Sequence, residues 1–382
     1  MNRIWFCLIL LLSMYDVCKS QTITVTSQVE VTHQRNEDII EINKLWHNYL
    51  SSRPDSLYNN PYWNSKDKMV LQSYDLLNSE GYQNLYALSK YGDLHNRILS
   101  ITPMGEFYNI RSMYYWPTSP PYVLSITNVL AKKENNGEYK LYNWLHYYTR
   151  DWKVKEVGII KYCYYPEYNF SRKNAKMANK FLRFLSEKFE MSIDTLTIYI
   201  SNGWCETELM KGYDYTLSST VVSDNLDLGG TTDIINNIIY SNSAKGELYE
   251  HEFMRLVKPY YPNAHRLLWD GITEYFTLDQ SMRGIPIKEH FSRFDTFLSQ
   301  HPEIDLQYFD SFNRGNLVEA NYLLGLLIVQ MIIDKGGFDL LKSCMRNVST
   351  DDQLRLFMQD YLNIASDEIN DVFRYKIRHN SL

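Results

Sequence analysis

The sequence predicts an α+β protein, in which N-terminal helices and a curved antiparallel sheet are followed by a second α+β unit with a helical subdomain. Three observations predict this class. Residues 36–91 repeat apolar positions with a helical period, and residues 98–166 are rich in β-branched and aromatic side chains. From Phe291 to the end the pattern is helical throughout. The length of 382 residues suits two ordinary domains.

The first twenty residues predict a secretory signal. Arg3 gives a basic start, Ile4–Met14 form an apolar run, and the small residues Cys18 and Ser20 precede a cleavage point before Gln21. The apolar run is too short to span a bilayer. We therefore expect an exported protein, secreted or periplasmic, with no membrane span after the signal is removed.

The charge balance argues against a nucleic-acid partner. The chain has a net charge of −6, and no run of lysine and arginine is long enough to predict such binding. Five cysteines are present, of which Cys163, Cys205 and Cys344 lie beyond the signal. Three widely spaced cysteines permit at most one disulfide, and the sequence leaves its pairing open.

The first predicted domain covers residues 21–165. Its strands are expected at 98–116, 122–133, 139–154 and 158–166, and Asn135-Asn136-Gly137 predicts a hairpin turn. This pattern resembles an NTF2-like or cystatin-like cone. Such cones often enclose a pocket, which His95 and His146 would then line. The alternative is that both histidines belong to the core or rim of a twisted sheet.

The second predicted domain covers residues 166–382. An amphipathic helix is expected over 171–191 and a strand over 194–200, whereas residues 206–227 show no clear pattern. A further short strand is expected over 234–240. A strongly apolar helix should then end at Gly336-Gly337, and Ser366 should cap the last helix.

One motif lies in the middle of this domain. Gly246 precedes a predicted helix that Pro259 closes, and inside it stands His251-Glu252-Phe253-Met254-Arg255. This is an H-E-x-x-H frame with arginine at the second histidine position. In zinc peptidases the two histidines project from one helical face and bind the metal, and the glutamate activates the metal-bound water.

The motif and the following Trp269–Phe276 segment, WDGITEYF, resemble the gluzincin, or peptidase MA-like, family of metallopeptidases. The resemblance implies a thermolysin-like domain in which His251 is the first zinc ligand and Glu252 is the catalytic base. Arg255 matches the second ligand, but guanidinium has no lone pair to offer a metal. The sequence therefore departs from the family at a residue that the chemistry needs.

Two carboxylates compete for the third ligand position. Asp270 matches it by its surrounding letters, and Glu274 matches it by spacing. His265 is a candidate substitute nitrogen ligand, with an exposed loop histidine as the alternative. Tyr322 stands where some relatives carry a tyrosine that stabilises the transition state, and a core tyrosine is the alternative.

The sequence therefore predicts an exported relative of the gluzincins with a degenerate zinc site. Arg255 would supply a permanent cation among Glu252, Asp270 and Glu274, so we expect no cofactor, or zinc if the site is functional. A cleft bounded by a strand at residues 234–240 would then bind a peptide or protein ligand. One alternative is an active zinc metallopeptidase with an unusual ligand set, and another is that the N-terminal domain is the functional module.

Overall fold

The computed structural model describes residues 24–27, 36–51, 60–70, 94–216, 230–276, 281–282, 285–309 and 318–381. These residues form helices and mixed sheets, so the predicted α+β class is confirmed. Three predicted features lie outside the described residues: the signal at 1–20, the helical pattern over 71–91 and the unplaced stretch from 217 onward.

The elements of the described residues are numbered in chain order. They are β1 (Thr24–Ser27), α1 (Glu37–Ser51), α2 (Ser65–Val70), β2 (His95–Met104), β3 (Phe107–Trp116), β4 (Tyr122–Lys133), β5 (Tyr139–Tyr142), α3 (Trp144–Tyr148), β6 (Lys153–Val157), β7 (Ile160–Tyr164), α4 (Arg172–Phe189), β8 (Leu196–Ser201), α5 (Trp204–Met210), β9 (Tyr213–Thr216), β10 (Thr231–Asp233), β11 (Ile238–Asn242), α6 (Glu250–Arg255), α7 (Arg266–Tyr275), β12 (Ser281–Met282), β13 (Ile285–Pro286), α8 (Ile287–Gln300), α9 (Val318–Asn347), α10 (Asp351–Leu362) and α11 (Ile369–Ser381).

The first sheet holds the N-terminal core. Its strand order is β1-β2-β3-β4-β5, and β9 also pairs with β4. Every neighbouring pair is antiparallel except β1 and β2, which are parallel. Helix α1 packs against this sheet, and the indole of its buried Trp46 donates a 3.0 Å hydrogen bond to Asn96 on β2. Burial of the alternating apolar positions predicted from sequence therefore forms one core between α1 and the strands.

The prediction of a strand over residues 139–154 is wrong for the middle of that range. Strand β5 ends at Tyr142, and Asn143 caps the short helix α3 by accepting a 2.8 Å hydrogen bond from the Leu145 amide. Aromatic-rich segments do not distinguish a strand from a helical turn by composition alone, whereas an asparagine cap satisfies the free amides that open a helix. The hairpin turn at Gly137, with φ of 85°, is confirmed.

The second sheet separates two cores. Its order is β10-β11-β8-β7-β6, with β7, β8 and β11 parallel and the two outer strands antiparallel to their neighbours. One face packs against the helices through Ile160, Tyr162, Tyr164, Leu196, Ile198, Ile200 and Ile239. The other face joins the N-terminal core through Cys163, Tyr199, Ile238 and Tyr240. Burial on both faces explains why the three parallel strands are rich in isoleucine and tyrosine, whereas the outer strand β6 is largely exposed.

The two sheets do not divide the chain at the predicted boundary. Strands β6 and β7 precede residue 166, yet β7 pairs with β8 in the second sheet. Strand β9 follows residue 166 and pairs with β4 in the first sheet. The pairing partners of a strand are set by tertiary contacts, so a boundary drawn from the order of local patterns alone misses this exchange.

The C-terminal helices cover the second sheet. Helices α7 and α9 cross closely at two glycines, because a Cβ added to Gly271 would lie 2.1 Å from the Gly325 carbonyl oxygen. Gly336 and Gly337 have non-helical backbone angles inside α9, as the sequence pattern indicates. Across the described ranges, none of the helices combines the length and the apolar character needed to cross a bilayer.

Candidate functional site

Helix α6 carries the H-E-x-x-R motif and is shorter than the sequence suggests. It begins at Glu250 and ends at Arg255, and no side chain caps its first turn. Gly246, with φ of 64°, lies before it, and a 3₁₀ turn containing Pro259 follows. A helix of fewer than two turns therefore presents His251, Glu252 and Arg255.

The strand that borders α6 is not the predicted one. Residues 234–237 form a turn, and Ile238–Asn242 form β11, which lies between β10 and β8. The sheet edge beside α6 is β10, over Thr231–Asp233. The sequence signal favoured the apolar strand, whereas an edge strand needs fewer apolar side chains because it is less enclosed.

Glu252 is almost completely enclosed. Its side chain is 1 % exposed, and its Oε2 atom accepts a 2.7 Å hydrogen bond from the hydroxyl of Thr232 on β10. Arg255 Nε lies 3.4 Å from the same oxygen. A buried carboxylate is stable only when it is paired and hydrogen-bonded, and these two groups meet that requirement.

The contact with Glu252 shows where the Arg255 side chain lies. Its guanidinium pairs with Glu252 one helical turn back, while the side chain as a whole remains 42 % exposed. Of the predicted cluster of Arg255 with Glu252, Asp270 and Glu274, the pair of Arg255 with Glu252 is present. Arginine keeps its charge at any ordinary pH, so this partner of Glu252 is permanent.

His251 is half-buried and carries a strongly lowered pKa of about 4. Burial penalises the imidazolium form most, and the nearby positive charges of Arg255 and Lys245 penalise it further. The ring centroid of Tyr249 lies 6.4 Å from that of His251. At neutral pH His251 is an uncharged imidazole, which retains a lone pair.

The two candidate carboxylates lie on α7. Asp270 is half-buried, and burial raises its pKa to about 6, although the positive charge of Arg266 acts in the opposite direction. Glu274, one turn further along, is 7 % exposed. Enclosed carboxylates of this kind need partners.

The structure does not gather a zinc site from these residues. Within the residues described, no three histidine, cysteine, aspartate or glutamate side chains lie close enough together to hold one metal ion. Arg255 lacks a lone pair, and Glu252 already accepts from Thr232. The donor set therefore does not fit the three-ligand zinc site that the resemblance implies.

His265 has a structural role that removes it from the ligand candidates. It is 3 % exposed, and its Nε2 atom lies 2.7 Å from Asp351 Oδ1. Its Nδ1 atom accepts a 3.3 Å hydrogen bond from the Leu267 amide and so caps α7. Both ring nitrogens are engaged, so neither the substitute-ligand prediction nor the exposed-loop alternative is correct.

Three further predicted residues lie on other elements, away from α6 and α7 in the chain. Tyr322 is half-buried on α9, one turn before Gly325. His95 lies on β2 with its ring 5.5 Å from that of Tyr115, whereas His146 is exposed on α3. Their predicted roles in catalysis or in a pocket stay predictions.

Sequence reasoning did not find Thr232 or Asp351. Each pairs with a residue of the motif region from a distant part of the chain, 20 and 86 residues away. The only sequence signal was indirect, because a buried glutamate and a buried histidine require partners.

A scan of protein-family models finds no match to this chain, and no curated protein matches it.

Proposed function

We propose that this protein is an exported, non-catalytic relative of the gluzincins that uses the surface between β10 and α6 to bind an extended peptide. The observation that carries the proposal is the state of Glu252. A general base must reach a water molecule or a substrate, whereas this carboxylate is 1 % exposed and accepts from Thr232. Glu252 then acts as a structural link between α6 and the sheet edge.

The edge position of β10 supports the choice of an extended peptide. Among the described residues, β10 has a strand neighbour on one side only, which is β11. An edge strand of this kind can pair through its other side with an added strand. Thr232 holds this edge against α6 through its contact with Glu252.

The alternative of an active zinc metallopeptidase keeps one observation in its favour. His251 is uncharged at neutral pH, which is the form that binds a metal. It would need Asp270 or Glu274 in a common coordination sphere with His251. Activity of this kind would be lost on the substitution Glu252→Gln.

Metal analysis separates the two functions. The mature chain would be expressed with zinc supplied, dialysed exhaustively and measured by elemental analysis, alongside the Arg255→His variant. We expect far less than one zinc per chain in the natural protein and a gain of zinc in the variant, because histidine restores the missing nitrogen ligand.

Stoichiometric zinc in the natural protein would contradict the proposal. Hydrolysis of a broad peptide mixture that disappears in Glu252→Gln would contradict it as well. For the binding function itself, the natural protein and a Thr232→Val variant would be compared for retention of an immobilised mixture of unstructured peptides. Equal retention would argue against the β10 surface.

A further inference from the structure

One face of α4 carries a row of five cations. Arg172, Lys173, Lys176, Lys180 and Arg183 are all exposed. Successive residues of an α-helix turn by about 100°, which places these five side chains within an arc of roughly 100° over about 17 Å of helix. The opposite face of α4 is buried in the core. The cations therefore form one continuous stripe on a fixed support.

Nothing within the described part of the chain neutralises this stripe. No hydrogen bond or ion pair joins the five side chains to described residues, and the first turn of α4 contains no acidic residue. Glu187, the exposed acid toward the end of α4, is paired with Lys188 at 3.0 Å. Cations at a helix N-terminus oppose the helix dipole, so the arrangement costs stability in a chain whose net charge is −6.

The stripe also has a shape that can receive a ligand. Arg172, Lys173, Lys176, Met177 and Lys180 line a groove on the surface. Lys155 on β6 adds a sixth positive charge near its start, because its Nζ atom lies 4.6 Å from the ring centroid of Phe170, two residues before α4. The charge of Lys155 thus lies close to the start of the helix that carries the stripe.

We propose that this cationic stripe binds a linear polyanion that carries sulfate or carboxylate groups, which is the chemistry of an acidic polysaccharide. A single row of cations matches one anionic chain, whereas a helix in a DNA groove meets two phosphate backbones. The aromatic side chains of α4 lie buried or half-buried, so none is displayed for stacking on bases. Met177 is the one exposed apolar side chain of α4, which gives little apolar area for membrane insertion.

The test measures binding of the full mature chain to a fluorescent heparin oligosaccharide by anisotropy at physiological and raised salt. The variant Lys176→Glu/Lys180→Glu reverses two charges in the middle of the stripe. We expect this variant to lose affinity by about tenfold or more. For the natural protein we expect the affinity to fall steeply as salt rises. Thermal unfolding of each protein checks that the exposed substitutions leave the fold intact.

The matched control is Lys44→Glu/Lys335→Glu, which makes the same charge change at exposed positions of α1 and α9. We expect its affinity to stay within about twofold of the natural protein, since both lysines lie on other helices and outside the stripe. Equal losses in both variants would show a general charge effect and overturn the proposal. Binding to phosphatidylserine vesicles or to DNA, but not to heparin, would overturn it too.

Discussion

At Glu252 two donors converge on a carboxylate that solvent hardly reaches. Thr232 supplies an O–H group from a neighbouring strand, and Arg255 supplies a charge from the same helix. The hydroxyl is the buried partner, whereas the guanidinium side chain is 42 % exposed, so its attraction is reduced by solvent. Thr232 should therefore contribute most to the stability of this small cluster.

The substitution Thr232→Val keeps the shape of the side chain and removes its hydroxyl. We expect the free energy of unfolding to fall by about 1–3 kcal/mol, because a buried charged acceptor loses its donor. Urea unfolding at neutral pH measures the change. The control is Thr231→Val on the same strand, since the buried Thr231 hydroxyl has no hydrogen-bond partner among described residues. A similar loss in both variants would contradict this account.

The raised pKa of Asp270 predicts that the stability of the protein depends on pH. Its pKa is about 6 in the folded chain, whereas an unfolded aspartate titrates at about 3.9. The folded state thus holds the proton more tightly, so the stabilisation is complete below the unfolded pKa and is lost as pH rises through about 6. His251 has the opposite effect. Its pKa in the folded chain is about 4, so the protein loses stability as pH falls below about 6.5.

The effects of Asp270 and His251 on stability oppose each other. The test therefore compares the free energy of unfolding of an Asp270 variant with that of the natural protein. We expect Asp270→Asn to raise the free energy of unfolding at pH 8 by up to about 3 kcal/mol, since it removes an enclosed charge. At pH 4 the change should be small. Urea unfolding at both values tests this, with Asp360→Asn, at an exposed position of α10, as the control. An effect of equal size at both pH values would exclude the proposed cause.

At the scale of elements, the crossing of α7 and α9 fixes the helix that holds Asp270 and Glu274. The crossing depends on the absence of side chains, because a Cβ added to Gly325 would lie 2.3 Å from the Leu267 carbonyl oxygen. His265 adds a second attachment at the start of α7 through Asp351 on α10. Helix α7 is therefore held at its N-cap residue and at its middle.

The substitution Gly325→Ala tests the crossing. Alanine favours a helix over glycine by about 1 kcal/mol, so an uncrowded position would be stabilised. Here we expect a net loss of about 1–3 kcal/mol, because the two helices must separate to admit the methyl group. Thermal and urea unfolding measure the sign. A more stable variant would show that the helices have room at this point.

Local patterns predicted many of these elements and few of their contacts. Helix α4 and strand β8 follow from periodic apolar residues, and the turn at Gly137 follows from its asparagine and glycine neighbours. The helical spacing of the motif places Glu252 near Arg255, since residues three apart on a helix are neighbours. Thr232 and Asp351 could not be found in this way, because their contacts depend on how distant segments pack.

At the scale of the whole molecule, the second sheet belongs to both cores. Its strands bury one face against the C-terminal helices and the other against the N-terminal unit. Strands β6 and β7 come from the first part of the chain, and β9 returns to the first sheet from the second part. The two predicted domains are therefore tied together by strand pairing as well as by packing.

This exchange predicts the behaviour of a fragment. Residues 21–165 would retain β7 without its neighbour β8, and β4 without β9. We expect this fragment to lack a cooperative unfolding transition, since Ile160, Tyr162 and Tyr164 would lose the core that covers them. Circular dichroism and limited proteolysis, with the full mature chain as control, provide the measurement. A cooperative transition in the fragment would support an independent N-terminal domain.

The pairing of Arg255 with Glu252 has a consequence for where such a protein can operate. A side-chain cation is made together with the polypeptide, so its charge is present as soon as α6 forms. Chelating agents cannot extract it. The positive charge that faces Glu252 therefore persists in surroundings starved of metals.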